Sequence, residues 1–416
     1  MTDFVNTKIK DIAEKNHSRV DPSDNPHTEY SVYSFSAHDE GKKPDKKLGE
    51  EIGSSKYKVP DGCILVTKLN PRIPRVWKVA DCDDESIAST EFVILKPKNK
   101  EMLDYLYAVL SSDSFFDNMS RITGGTSGSH QRVKQSDILD YEFSAPVFKK
   151  DRKKISDLIS AIDEKIRLNR EISELLEEIA ESIYVSWFEE YEPYKDRYDS
   201  LSGKLGPYPE HFQEAKISEI SSTEGGGTPD TDNEEFWNGD INWISPKEIT
   251  NLGYPIVTNT ERKITDEGLK SSSTNELDSD SILLTSRATV GEIAINTSEI
   301  CTSQGFIGIE PDLEYKYLIL EFLKNNREYV ERLATGSTYD EISQSQLKNI
   351  KLPVIKDSYL SEFNDVCRLL YSEIKNLKQE SGCLESLRGY LLPQLLSGEV
   401  EISEISTEPE SNTGSK

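Results

Sequence analysis

The chain has 416 residues, with 75 acidic against 49 basic side chains, a formal net charge of −26 and a mean hydropathy of −0.60. That length accommodates two or three domains with proper cores. The acidity excludes bulk attachment to nucleic acid, which phosphate neutralisation would drive, so any DNA contact must be local or supplied by a partner.

No apolar run approaches a membrane span, and the N-terminus MTDFVNTKIK lacks a signal-peptide core. The cysteines (Cys63, Cys82, Cys301, Cys367, Cys383) are odd in number and scattered, without metal-ligand spacing. Free thiols in a reducing cytoplasm are expected, with no metal site.

Residues 1–150 form a domain-sized block. Gly62–Thr67 and Glu91–Leu95 read as buried strands, Met102–Leu110 as a helix and Tyr141–Pro146 as a strand. Residues 151–190 then read as one long helix. Ile155, Ile162, Asn169, Leu176 and Ile183 fall at heptad position a, and Leu158, Ile172 and Ile179 at d, with no Gly or Pro. Asn169 is the polar a residue that fixes register. Such a helix spans on the order of 50 Å.

Residues 191–210 are a turn-rich linker, and 211–357 form a second block. Residues 358–400 carry a second seam, Phe363, Leu370, Leu377, Leu384 and Leu391 at a, with Val366 and Leu387 at d. Gly382 and Gly389 weaken this helix by about 1 kcal/mol each. The two seams can satisfy each other as an antiparallel pair. The polar tail 401–416 reads as disordered.

The second block repeats the first in order. Phe4–Ile12 sits over Phe212–Ile220, Ile64–Thr67 over Ile282–Thr285, Ser89–Phe92 over Ser303–Phe306, and Ile138–Phe143 over Leu347–Leu352. One nearly constant offset through four matches is a duplication with loop insertions.

Several motifs carry a family resemblance. Ile162–Ile166 with Asn169-Arg170, Leu176–Ala180 and Ser186-Trp187-Phe188 resemble the central conserved region of type I restriction-modification DNA specificity subunits. Leu391-Leu392-Pro393-Gln394-Leu395-Leu396-Ser397-Gly398-Glu399 resembles the segment closing that family's second long helix. Gly226–Pro229, Phe236–Ile241 and Trp243–Lys247 resemble the opening of one recognition-domain type, and Lys68–Trp77 a loop of another.

The resemblance implies an α+β chain of two mixed α/β target-recognition domains separated by an antiparallel pair of long coiled-coil helices, with a pseudo-two-fold internal repeat. It implies double-stranded DNA, two methyltransferase (modification) subunits and restriction (nuclease) subunits as partners. The chain would hold no cofactor itself; S-adenosylmethionine, ATP and Mg would sit on the partners. Both helices would carry docking.

The residues agree with a DNA reader. Between Asp61 and Asp81 no acid occurs, while Lys68, Arg72, Arg75 and Lys78 do, on a loop stiffened by Pro71 and Pro74. Arginine binds guanine edges or phosphate bidentately. A second acid-free run, between Asp117 and Asp137, offers Ser127, Ser129, His130, Arg132 and Lys134. The second block's candidates are Thr285, Ser286, Arg287, Ser337, Thr338 and Tyr339, joined by Trp243 and Lys247. Tryptophans here fit loop anchors better than base stackers.

Catalytic classes lack their chemistry. There is no amino-methyltransferase [DN]PP[FY] segment, and Gly225–Thr228 lacks the ending of a phosphate loop. The acids around Pro311–Lys316 are too crowded for a nuclease site, and the histidines form no triad. The alternatives are a helical assembly scaffold without DNA readout, or a fused-type methyltransferase or nuclease component.

Overall fold

The uninterrupted run of helix formers from Lys149 to Tyr184 is a single helix of 36 residues in the computed structural model, and Ser358–Ser397 is a second, of 40. The structure describes residues 3–39, 41–123, 131–194, 212–334, 341–355 and 358–400. The tail expected to be disordered lies outside them, as does nearly all of the expected linker. The second helix continues through Gly382 and Gly389, where an added Cβ would meet open space. It stops at Gly398, whose φ of +80° is the left-handed C-terminal cap. A Cβ there would strike the ring of Phe4.

Two compact units divide the chain, Met1–Arg167 with Gly382–Lys416, and Leu168–Ser381. Each unit holds one globular block and half of each long helix. Within each unit the two half-helices run antiparallel. In the first, Arg388 bonds Asp163, and Ile155 and Ile159 share a core with Leu392 and Leu395. In the second, Asn169 Nδ2 donates to Glu380 (2.8 Å) and to Ser381, while Phe188 packs edge-on against Phe363 at 4.9 Å. Phe188 is carried by a π-helical turn, Val185–Glu189, that ends the first helix.

The buried stripe corrects the expected seam. Position a faces inward, with Ile155, Ile162, Asn169, Phe363 and Leu377 buried and Leu176, Ile183, Leu370, Leu384 and Leu391 half-buried. Its partner row is e, not d: Ile159, Ser173, Ala180, Cys367, Ile374, Ser381 and Leu395 are buried. At d, Leu158 packs half-buried against the first core, but Ile172 is 41% and Ile179 46% exposed, and Val366 and Leu387 are exposed too. Ser156, Tyr184, Tyr371 and Leu392, next to the a row at b, are also buried. The globular blocks cover this b and e flank, which rotates the dry face away from d. A straight helix at 3.6 residues per turn accommodates that drift.

The duplication appears as repeated register. Phe4–Lys8 pairs antiparallel with Glu142–Pro146, as Gln213–Lys216 does with Lys351–Val354. Phe92 lies opposite Thr67 and Leu95 opposite Ile64; Phe306 and Ile309 stand in the same way to Thr285 and Ile282. These strands centre a sheet ordered Ala13–Asn16, Phe92–Pro97, Cys63–Thr67, Val76–Val79 in the first unit. In the second the order is Ser221–Gly225, Phe306–Pro311, Ile282–Thr285, Ile293–Asn296, Ile256–Val257.

The outer sheets do not match. One has five strands, from Arg19–Val20 to Asp45–Leu48; the other has four and contains Trp237–Ile244. Alternating apolar residues bury one face of each inner sheet against helices such as Leu103–Leu110 and Lys316–Asn325.

Candidate nucleic-acid interface

The two acid-free runs of the first block meet. Past strand Cys63–Thr67, Thr67 Oγ1 donates to Leu69 O (2.8 Å), and Asn70 takes φ +49°. Asn70 N donates to Gln131 O and Val133 N to Lys68 O, both at 2.8 Å, so Leu69 and Arg132 form an isolated antiparallel bridge. The second block repeats this junction. Arg287 bridges Glu341, Ile342 N donates to Ser286 O (3.1 Å), and Ala288 takes φ +64°. A non-glycine residue in that region is strained at matching places in both copies.

The cations of the first junction divide into engaged and free. Arg75 is turned inward, its Nε donating to Asp39 Oδ1 (2.8 Å) and its guanidinium 4.8 Å over Phe35. Burial pushes the Asp39 carboxyl up, but its hydrogen bonds with Arg75 and His38 together outweigh that and hold it below its usual pKa. Lys78 bonds Asp104 at 2.8 Å, and Arg132 bonds Glu91 at 2.6 Å while remaining exposed. Arg72 and Lys134 are exposed and Lys68 half-buried, without ion pairs among the described residues. Ser127, Ser129 and His130 lie outside the described residues.

Sequence reasoning missed the adjoining edge. Lys15, His17 and Arg19 alternate along one extended segment and are exposed. Lys15 Nζ donates to Gln135 Oε1 (2.9 Å), beside Lys134. His17 is pushed below its ordinary pKa by partial burial, then by the charges of Lys15, Arg19 and Lys68, so these groups form one positive field. Their period-two spacing was the available signal.

In the second block, Arg287 is exposed but bonds Glu341 at 2.8 Å. Thr285 is fully buried, accepting from Glu292 N (2.9 Å), and Ser286 is buried as well. Trp243 is a buried anchor, its Nε1 donating to Gly227 O (3.0 Å). Lys247 is exposed at the start of a short helix. Ser337, Thr338 and Tyr339 lie outside the described residues. Thr285, Ser286 and Trp243 thus act on structure here, because the strand and loop carrying them are interior. Side chains facing inward reach no external ligand.

The family model described as "Type I restriction modification DNA specificity domain" matches residues 1–178 and again 209–356. The chain belongs to the type I restriction-modification DNA specificity family. The MjaIX specificity subunit of Methanocaldococcus jannaschii is 34% identical over 187 residues, 44% of this chain and only 43% of that relative. The HindI specificity subunit of Haemophilus influenzae is 23% identical over 84% of this chain and 88% of its own. The crystal structure of the S subunit from M. genitalium covers 95% of this chain and 96% of its own, at 15% identity and a TM-score of 0.56; it shares the fold.

This member of the specificity family also bares an apolar row on the first helix and two separate apolar pairs on the second. Leu168, Ile172, Leu175 and Ile179 occupy g and d positions of the first helix and are all exposed. The same rows of the second helix expose Val366, Leu369, Leu387 and Tyr390, with Leu369 70% and Tyr390 64% exposed. The four on the first helix, at i, i+4, i+7 and i+11, lie along one face of it. Among the described residues no helix is long and apolar enough to cross a membrane.

Proposed function

We propose that the chain is the DNA-reading subunit of a type I restriction-modification complex and performs no chemistry itself. Each repeated block reads one half of a split, asymmetric duplex target. The observation that carries this reading is the pair of equivalent loop junctions built on differing outer sheets. One scaffold with two different contact surfaces suits two different half-sites. Arg72, Lys68, Lys134 and the Lys15–Arg19 edge supply the first contacts; Lys247, exposed and without an ion pair among the described residues, contributes to the second.

A helix of 36 residues is on the order of 50 Å long, more than one DNA turn of ~34 Å, so the target contains an unread spacer. The exposed g and d rows dock two modification subunits, with restriction subunits joining through them. S-adenosylmethionine, ATP and Mg reside on those partners. The chain works in the cytoplasm.

Methylation mapping in cells carrying the chain with its modification subunit tests the reading. An asymmetric bipartite motif is expected, and exchanging residues 62–80 for those of a relative must alter one half only. A symmetric or continuous motif sinks it. Leu175→Asp with Ile179→Asp leaves the fold intact and abolishes co-purification of the modification subunit; retained co-purification removes the docking assignment.

A further inference from the structure

The glycine- and tryptophan-rich motifs of the second block build a rigid platform. Trp237 and Trp243 share strand Trp237–Ile244, their rings 5.1 Å apart and edge-to-face. Trp237 Nε1 donates to Asp230 O and Trp243 Nε1 to Gly227 O, both at 3.0 Å, so neither indole turns without losing its N–H partner. The glycines are needed for close approach. A Cβ at Gly226 would overlap Ser303 O, at Gly227 the Thr274 backbone, and at Gly239 Ile264 O.

On this platform lies one arginine. Arg262 pairs with Trp243 across neighbouring strands and lays its guanidinium 3.4 Å over the Trp237 ring and 5.3 Å from that of Trp243. Its backbone is also held: Thr260 Oγ1 donates to Arg262 O (2.7 Å) and accepts from Trp243 N (3.2 Å). The residue is exposed, and its guanidinium makes no hydrogen bond or ion pair among the described residues. Arg287 and Arg327 of the same unit each meet carboxylates.

A carboxylate would neutralise the charge and fill the N–H fork; an indole face does neither. Stacking fixes the guanidinium plane and leaves its in-plane donors open, which lowers the ordering cost of binding an external acceptor pair.

We propose that Arg262 is a DNA-contacting residue of the second recognition domain, its fork taking a pair of acceptors on the duplex, a guanine edge or a backbone phosphate. The Gly225–Thr228 and Phe236–Trp243 motifs hold it in place. This rests on the DNA-reading function above and adds one contact residue to the second block.

The test uses the full complex with its modification subunits, comparing wild type, Arg262→Ala and Arg262→Lys. Affinity for the cognate duplex is measured across salt concentrations, and the methylated motif is mapped. The alanine variant is expected to lose roughly 10–100-fold in affinity. If the contact is a guanine edge, one base position in one half-site relaxes and lysine does not restore it. If it is a phosphate, lysine recovers part of the affinity and the alanine variant's salt slope falls by about one. An alanine variant with wild-type melting temperature, affinity and motif overturns the proposal. A wild-type complex without a split motif instead overturns the reading beneath it.

Discussion

Around its loop junction the first block leaves Arg72, Lys134, Lys15 and Arg19 without a carboxylate partner among the described residues. At the matching junction of the second block Arg287 is neutralised by Glu341, and the bare arginine, Arg262, lies on the outer sheet. The duplication preserved the scaffold, down to the left-handed residue after each strand, and moved the free charges. In so acidic a chain, whether a cation has a carboxylate beside it decides whether it is available to DNA. The binding surface thus diverges both by re-pairing charges at the shared junction and by exchanging the outer sheet around it.

The anchoring of each block to the helix pair differs in the same manner. In the first unit Arg388 joins Asp163 (2.7 Å) and Ser111 Oγ (2.7 Å). In the second, Lys324 Nζ reaches Glu177 (2.9 Å) and Tyr371 OH (3.1 Å), and that hydroxyl donates to the fully buried Glu321 (2.6 Å). One anchor is a half-buried ion pair with a hydroxyl. The other is a buried network that keeps a carboxylate out of water.

Four measurements test this contrast. Phe363→Ala removes a fully buried ring from the second unit and is expected to cost about 3–5 kcal/mol. Hydrogen exchange should then show lost protection in residues 212–355 with residues 4–146 unchanged; equal loss in both would end the description as two units. Arg388→Ala leaves Asp163 half-buried without its partner, a cost of about 1–3 kcal/mol that urea unfolding should report from the first unit. Gly389→Ala adds a methyl in open space on a helix interior and should stabilise by about 1 kcal/mol; destabilisation would mean the glycine serves a partner's approach.

The last measurement concerns acid, and its sign differs between the blocks. Burial raises the Glu321 pKa, so wild-type stability falls as pH rises through the window above the ordinary glutamate value of 4.5; Glu321→Gln should flatten that slope. In the first block hydrogen bonds, that from Ser31 first, hold Asp83 down to about 2. Its contribution is present above 3.8 and lost as pH falls toward that value, and Asp83→Asn should remove it. Melting temperatures of the two variants across acidic pH check both signs.

The strands Cys63–Thr67 and Phe92–Pro97, both long helices and the duplication were legible in advance because each depends on local period and composition. The DNA surface was legible only in part. Arg75 and Arg72 stand three residues apart in one acid-free run, and nothing local distinguishes them. Asp39, distant in sequence, captures one and leaves the other. Arg262 was overlooked because it follows Glu261 in a charged stretch, while its two indole neighbours lie a strand away.

The heptads settled that two long amphipathic helices exist and that their a positions face inward, since side-chain direction on a helix repeats with the backbone. They could not settle whether d or e completes the dry stripe. The globular blocks decided that by covering the b and e flank and leaving Ile172, Ile179, Val366 and Leu387 bare. Helical period is a property of consecutive residues; which flank is dry, and which cation stays unpaired, depends on groups brought near only by folding.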